Sequence, residues 1–305
     1  MNTITNAITV FLEAVTSLLM FFINLLPSAV SGPFQYAFMQ RALITAIIVG
    51  AVCGVLSCYV VLKRWALLGD AISHAVLPGV AVAYLLGIPL LIGAFISGAF
   101  TSIGIGFLQR NTRIKEDSAM GILFTAAFAL GIVLISRIAT STHLMHILFG
   151  NVLGVSSQMM ATTFITGLVA LLCVAVFYKQ LLLYSFDPSH ASAIGMKVAV
   201  IHYGLMLLLT LTIVTSLETV GVILVVAMLI IPGASASMLT HRLPVMMAIS
   251  ASIGMVSAAV GLYFSFLLNV SSGGTIVLTA FAIFLLAAVL APEGPLRGRK
   301  IHKNA

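Results

Sequence analysis

Asp70 and His74 stand four residues apart in KRWALLGDAISHAVLPG (63–79), a stretch otherwise free of charge beyond its first two residues. On a helix that spacing separates two side chains by about 40° in angle and about 6 Å in height, so both share one face. A carboxylate oxygen and an imidazole nitrogen on one face can ligate Mn²⁺, Fe²⁺ or Zn²⁺. They can equally form a hydrogen bond to each other or to a neighbouring helix, and the residues alone leave both readings open. Two ligands are too few for tight capture, which suits a transient site on a path; a facing second copy would bring the number to four. Pro78 lies four residues past His74 and has no N–H for the His74 carbonyl, which predicts a loosened helix beside the pair.

The elements that carry this pair are built for a bilayer. The chain has 305 residues, of which 61% are hydrophobic and only 7% charged, against about 25% charged in a soluble domain. Apolar runs of about 20 residues recur along it, each long enough to cross hydrocarbon as a helix. The expected fold is therefore all-α, a polytopic helical membrane protein with about 8–10 transmembrane segments. Short alternating segments, the mark of a membrane β-barrel, do not occur. The net charge of +7 is no nucleic-acid signal. Lys63, Arg64, Arg110, Arg113, Lys115, Arg297, Arg299, Lys300 and Lys303 sit in short loops and at the C-terminus, where they mark a cytoplasmic side. From Arg64 to His74 is about 15 Å of helix, which sets His74 near mid-membrane. Cys53, Cys58 and Cys173 lie in apolar spans with no CxxC, and read as small packing residues.

The organisation follows. Residues 1–33 form an apolar N-terminal extension, either a span or an interfacial helix; 34–292 form the membrane domain; 293–305 are a basic cytoplasmic tail. Nine spans are expected after residue 33: 34–62, 66–86, 89–108, one capped by Ser118 and ending near 136, 159–178, 198–216, 219–239, 244–268 and 274–290. Gly50 and Gly54 permit close helix approach, and Trp65 reads as an interfacial belt residue. His143 and His146, three apart in an outward loop, suit either cation entry or a wet rim. Glu218, between two spans at the outer end, suits an entrance guard or a solvated cap. His202 is the one other ionisable group comparable to the pair, near the inner end of its span. Pro232–Gly233 is expected to interrupt its span. Between Lys179 and Lys197, Asp187 is a good N-cap, Pro188 suits the first helical position and Gly195 the C-terminal stop. These predict a helix of about two turns on the cytoplasmic face, suited to docking into another protein or to being a plain surface turn.

No GxxxxGK[ST], HExxH or GxSxG occurs, so neither nucleotide hydrolysis nor protease or hydrolase chemistry has support in the chain. The motifs PFQYAFMQRAL (33–43), LKRWALLGDAISHAVLPGVAVAYLLG (62–87), EDSAMGILF (116–124), ILFGNVLGVS (147–156), FDPSHASAIGM (186–196) and VGVILVVAMLIIPGASA (220–236) together resemble the ABC-3 permease subunits of bacterial ABC importers for manganese, iron or zinc. These are relatives of the vitamin B12 and siderophore, or type II, importers. The resemblance covers about 34–292 and departs at the N-terminal extension and at SSGGT (271–275), where a proline-containing turn is usual. It implies a type II importer permease fold in the bacterial inner membrane, working as a homodimer or with a related permease. It also implies a separate cytoplasmic ATPase, an extracytoplasmic metal-binding protein, and a divalent metal as substrate with no resident cofactor. Phe186, Asp187, Pro188, Ser189, His190, Ala191, Ser192, Ala193, Ile194 and Gly195 match the family's ATPase-coupling helix, and Asp70 and His74 its GDxxSH motif. The rivals are a proton- or sodium-coupled metal transporter and a structural membrane subunit.

Overall fold

In the computed structural model, residues 12–14, 16–21, 31–137 and 152–291 are described. Among them the secondary structure is helical, with no strand. A 3₁₀ turn at Gly32–Gln35 leads into α1 (Ala37–Leu62). Then come α2 (Leu68–Ala75), α3 (Leu77–Leu86), α4 (Leu90–Asn111) and α5 (Glu116–Ile135). After the undescribed stretch follow α6 (Ser157–Val176), α7 (Tyr178–Phe186), α8 (Pro188–Ala193), α9 (Val198–Val220), α10 (Val222–Leu239), α11 (Leu243–Leu268) and α12 (Ser272–Leu290). Taking α2 and α3 as one, nine of these units are long and apolar enough to cross a membrane, as expected for the region after residue 33. Of the N-terminal extension, the described part is a short apolar helix, Leu12–Phe21.

Helix α1 is the most buried span and α12 the least. One face of α1 packs on α10 and α11, another on α6, and α12 closes over α10 and α11. The contacts are made backbone to backbone. A Cβ at Gly50 would lie 2.6 Å from the Gly254 carbonyl oxygen, and one at Gly54 would lie 2.7 Å from that of Ser250. The Gly50–Gly54 pattern thus lets α11 in, and Ser250 Oγ donates to the Gly54 carbonyl at 2.5 Å. Without a hydrophobic drive between helices in lipid, such close approach and interhelical hydrogen bonding supply the attraction. Cys53 and Cys58 are buried free thiols in this packing. A second group, α2 to α5, packs together, and α9 bridges it to α1 and α6 through α4 and α6.

Several boundaries differ from those read in the sequence. Residues 63–67 form turn, not helix, so the helical climb from Leu68 to His74 is about 9 Å rather than about 15 Å. Arg64, at φ 59, takes the left-handed position of a Schellman turn, with Trp65 N–H donating to Val60 O at 2.8 Å and Arg64 N–H to Val61 O at 3.1 Å. Trp65 is 1% exposed, so it is a core residue and not a belt residue, because this turn folds its ring inward. Ser118 is not the cap of α5; the helix starts two residues earlier, after Lys115. Glu218 lies inside α9, which runs on to Val220 and stops at Gly221, φ 82. Helix α10 passes through Pro232 without interruption. Ser57 of α1 makes this possible, since its Oγ accepts the Gly233 N–H at 2.9 Å and donates to the Ile230 carbonyl at 3.3 Å. The expected helix break beside His74 is present: α2 and α3 meet at Val76, and Ser97 Oγ of α4 donates to the Ala75 carbonyl at 2.7 Å.

Replacing Ser57 by alanine removes the hydroxyl that pairs with the Gly233 N–H and the Ile230 carbonyl, at a cost of about 1–2 kcal/mol. Gly254→Leu forces α11 off α1 and costs about 1–3 kcal/mol or more. Gly121→Ala, inside α5 where an added Cβ meets nothing within 4 Å, keeps stability or raises it by up to about 1 kcal/mol. Thermal denaturation of the three variants in detergent checks the order.

Candidate functional site

Asp70 and His74 stand on α2 with His74 Nε2 3.4 Å from Asp70 Oδ1. That is longer than a firm hydrogen bond. It matches two donors each about 2.1 Å from one tetrahedral ion, which lie about 3.4 Å apart. The side chains are 48% and 31% exposed for Asp70 and His74 respectively, so neither is sealed into a helix–helix contact. Two aromatic rings of α5 flank the imidazole, Phe124 with its centroid at 5.5 Å and Phe128 edge-on at 5.1 Å. These rings limit its rotation. His74 Nδ1 is buried and has no hydrogen-bond partner among the described residues.

Both groups open on a groove of about 750 Å³ in the seam between the α2–α5 group and the α10–α12 group. Its walls are Leu77 of α3, Phe128 and Ile132 of α5, Val226 and Ile230 of α10 and Val277 of α12. Among the described residues, Asp70 and His74 are its only charged or imidazole side chains. The other polar residue lining it is Ser136, at the end of α5. Among the described residues no three His, Cys, Asp or Glu side chains are close enough to hold a metal ion, so no third such group joins Asp70 and His74 there.

The remaining predicted residues lie elsewhere. Glu218 is half-buried on α9 and does not line the groove. His143 and His146, and the basic tail at 293–305, lie outside the described residues. The capped helix is as predicted: Asp187 accepts the His190 N–H at 2.9 Å, Pro188 opens α8, and Gly195 closes it at φ 83. Apart from Ala191, residues 186–195 are exposed, with Phe186 and Ile194 at either end. Lys63 Nζ lies 4.0 Å over the Tyr184 ring, so this segment sits at the basic end of the bundle. Burial there pushes the Lys63 amine below its ordinary range, against the opposing pull of Glu116.

A cluster at that end was not anticipated. Trp65 Nε1–H donates to Glu116 Oε1, Tyr184 Oη and His202 Nδ1 are 2.7 Å apart, and the His202 ring meets Trp65 edge-on at 5.3 Å. The signals in the sequence are His202, ionisable near the inner end of its span, and Trp65, the chain's single tryptophan, next to a basic pair.

The model of the ABC 3 transport family matches residues 35–291. The chain belongs to this family. Among curated ABC 3 relatives, the manganese transport system membrane protein MntC of Halalkalibacterium halodurans is 54% identical over 260 residues, 85% of this chain and 89% of that protein. The chelated iron transport system membrane protein YfeD of Yersinia pestis is 49% identical over 279 residues, 91% of this chain and 94% of that one. Among solved structures, PsaBC from Streptococcus pneumoniae in complex with Fab matches with TM-score 0.78 at 45% identity, covering 87% of this chain and 96% of that chain. An inward-facing putative metal-chelate type ABC transporter matches at TM-score 0.63 and 18% identity, over 92% and 98% of the two chains, a likeness of fold alone. The multi-pass helical fold and the family read from the motifs are those found.

A structural clasp and an ion ligand differ in what their removal costs. Asp70→Asn and His74→Gln each change stability by less than about 1 kcal/mol, since a half-exposed pair contributes little. Thermal melting in detergent measures this; a larger loss would identify the pair as a structural clasp.

Proposed function

We propose that this ABC 3 family member is the permease of an ATP-driven importer that passes a divalent transition metal, manganese or iron ahead of zinc, across a bacterial inner membrane. The observation that carries the reading is the Asp70–His74 pair, the ionisable groups among the described residues of a largely apolar groove, spaced for two ligands of one ion. The names of the manganese and iron relatives support the cargo.

The orientation follows from charge. Lys63, Arg64, Arg110, Arg113 and Lys115 support a cytoplasmic position for the end carrying 186–195. There the exposed α8, with Phe186 and Ile194, docks on a separate ATPase. At the opposite face an extracytoplasmic metal-binding protein delivers the ion. A second permease, identical or related, faces the groove and completes the coordination that two ligands leave half-filled. Carboxylate plus imidazole suits borderline divalent ions, and few ligands make the binding weak enough for release. ATP-driven closure of the ATPases then moves α8 and reverses which side the groove faces. The chain itself carries no nucleotide-binding loop, so hydrolysis belongs to the partner.

The test is radiolabelled Mn²⁺ uptake by the permease–ATPase complex in proteoliposomes. Asp70→Ala and His74→Ala each lower uptake about tenfold or more, with membrane insertion unchanged. Normal uptake by both variants would remove them from the path. Uptake that persists without ATP and collapses with the proton gradient would make the protein a secondary transporter.

A further inference from the structure

At the basic end of the bundle, Tyr184 of α7, Trp65 of the 63–67 turn and Tyr203 of α9 each contact the His202 ring, joining two places that transport must link. On one side is Tyr184, two residues before the exposed segment that begins at Phe186. Its hydroxyl is 2.7 Å from His202 Nδ1 on α9. The His202 ring packs edge-on against Trp65 at 5.3 Å and against Tyr203 at 5.3 Å. It has no slack: a Cβ at Gly106 of α4 would lie 2.9 Å from His202 Nε2 and 2.6 Å from the Tyr203 ring. On the other side, the Trp65 indole N–H donates to Glu116, the first residue of α5. That helix carries Phe124 and Phe128, the two rings against His74.

Trp65 also holds α2 through its backbone. Its carbonyl accepts the Leu68 N–H at 2.9 Å, so the first turn of the Asp70–His74 helix is built on it. Arg64, just before, is a non-glycine residue at φ 59, a conformation that costs about 1–2 kcal/mol. Such strain persists where the surroundings over-determine it, and here the buried indole does so.

We propose that Trp65, held between Glu116 and the Tyr184–His202 pair, is a positioning residue that carries displacement of the 188–193 segment to the Asp70–His74 helix. The proposal rests on the transport reading above. When the docked segment moves, Tyr184 moves with α7, and His202 passes the shift to the indole. The indole then acts twice on the site, through the first turn of α2 and through the N-terminus of α5. The ligand pair and the rings that confine it thus shift together.

Spatial continuity does not by itself establish coupling, so a double-mutant cycle is the test. The readout is Mn²⁺ taken up per ATP hydrolysed by the permease–ATPase complex in proteoliposomes. Trp65→Phe keeps a ring against His202 and removes the N–H; Tyr184→Phe removes the hydroxyl. Each is expected to keep ATP hydrolysis and the KM for Mn²⁺ while lowering ions moved per ATP by about threefold or more. The double variant is expected to be no worse than the poorer single. Glu116→Gln keeps an acceptor oxygen and should retain coupling, whereas Glu116→Leu should reproduce the Trp65→Phe defect and serves in its place if that variant does not assemble. An unchanged ratio in Trp65→Phe and Tyr184→Phe would overturn the proposal. So would additive losses, or losses matched by equal falls in thermal stability and hydrolysis. Absence of ATP-dependent uptake in the wild-type complex would instead tell against the transport reading itself.

Discussion

In hydrocarbon every backbone N–H and C=O must find its partner inside the protein, and most of this fold is an answer to that demand around α1. Its small residues allow α11 and α10 to come within backbone contact, at Gly50 with Gly254 and at Gly233 with Ser57. Close approach brings hydroxyls within reach of groups that the helices themselves cannot satisfy. Ser57 takes up the N–H displaced beside Pro232, and Ser97 takes up a carbonyl at the α2–α3 break. Proline is therefore tolerated in two helices that border the groove, and each irregularity is answered from a neighbour.

The same demand sorts the polar side chains. Tyr184, His202, Trp65 and Glu116 are partnered with one another at the basic end. Many serines and threonines inside the spans bond back to carbonyls on their own helix, as Thr210 does to Met206 and Ser73 to Gly69, while Ser57, Ser97 and Ser250 reach across to a neighbour. Asp70 and His74 escape this pattern. They are part-exposed on a groove and only loosely engaged with each other, and the cost of an ionisable pair left so in a spanning segment supports the role proposed for them.

Position of the pair follows from two turns. The Schellman turn at Arg64 reverses the chain and buries Trp65, and the break at Val76 ends α2 just after His74. Between them lies a helix of eight residues, with Asp70 in its first turn and His74 in its last. A short segment held at both ends by side chains from α4 and α5 can shift as a unit, where a long continuous span could not.

The sequence by itself determined the class of the protein, its nine spans after residue 33, the cap residues of α8, the Val76 break and the Asp70–His74 face. Each of these is a local property, set by apolar run length, by proline and glycine backbone preferences, or by helical spacing. Tertiary structure alone decided the burial of Trp65, the bridging of Pro232 by Ser57 and the extension of α9 past Glu218. The first two depend on residues distant in the chain: Glu116 for Trp65 and Ser57 for Gly233. The groove too is a tertiary fact, since α2, α5, α10 and α12 each look like ordinary apolar spans until their packing leaves a seam. Hydropathy reports how far a segment avoids water, and it is the same for a helix facing lipid, a neighbour or a cavity; only the positions of the other helices distinguish the three.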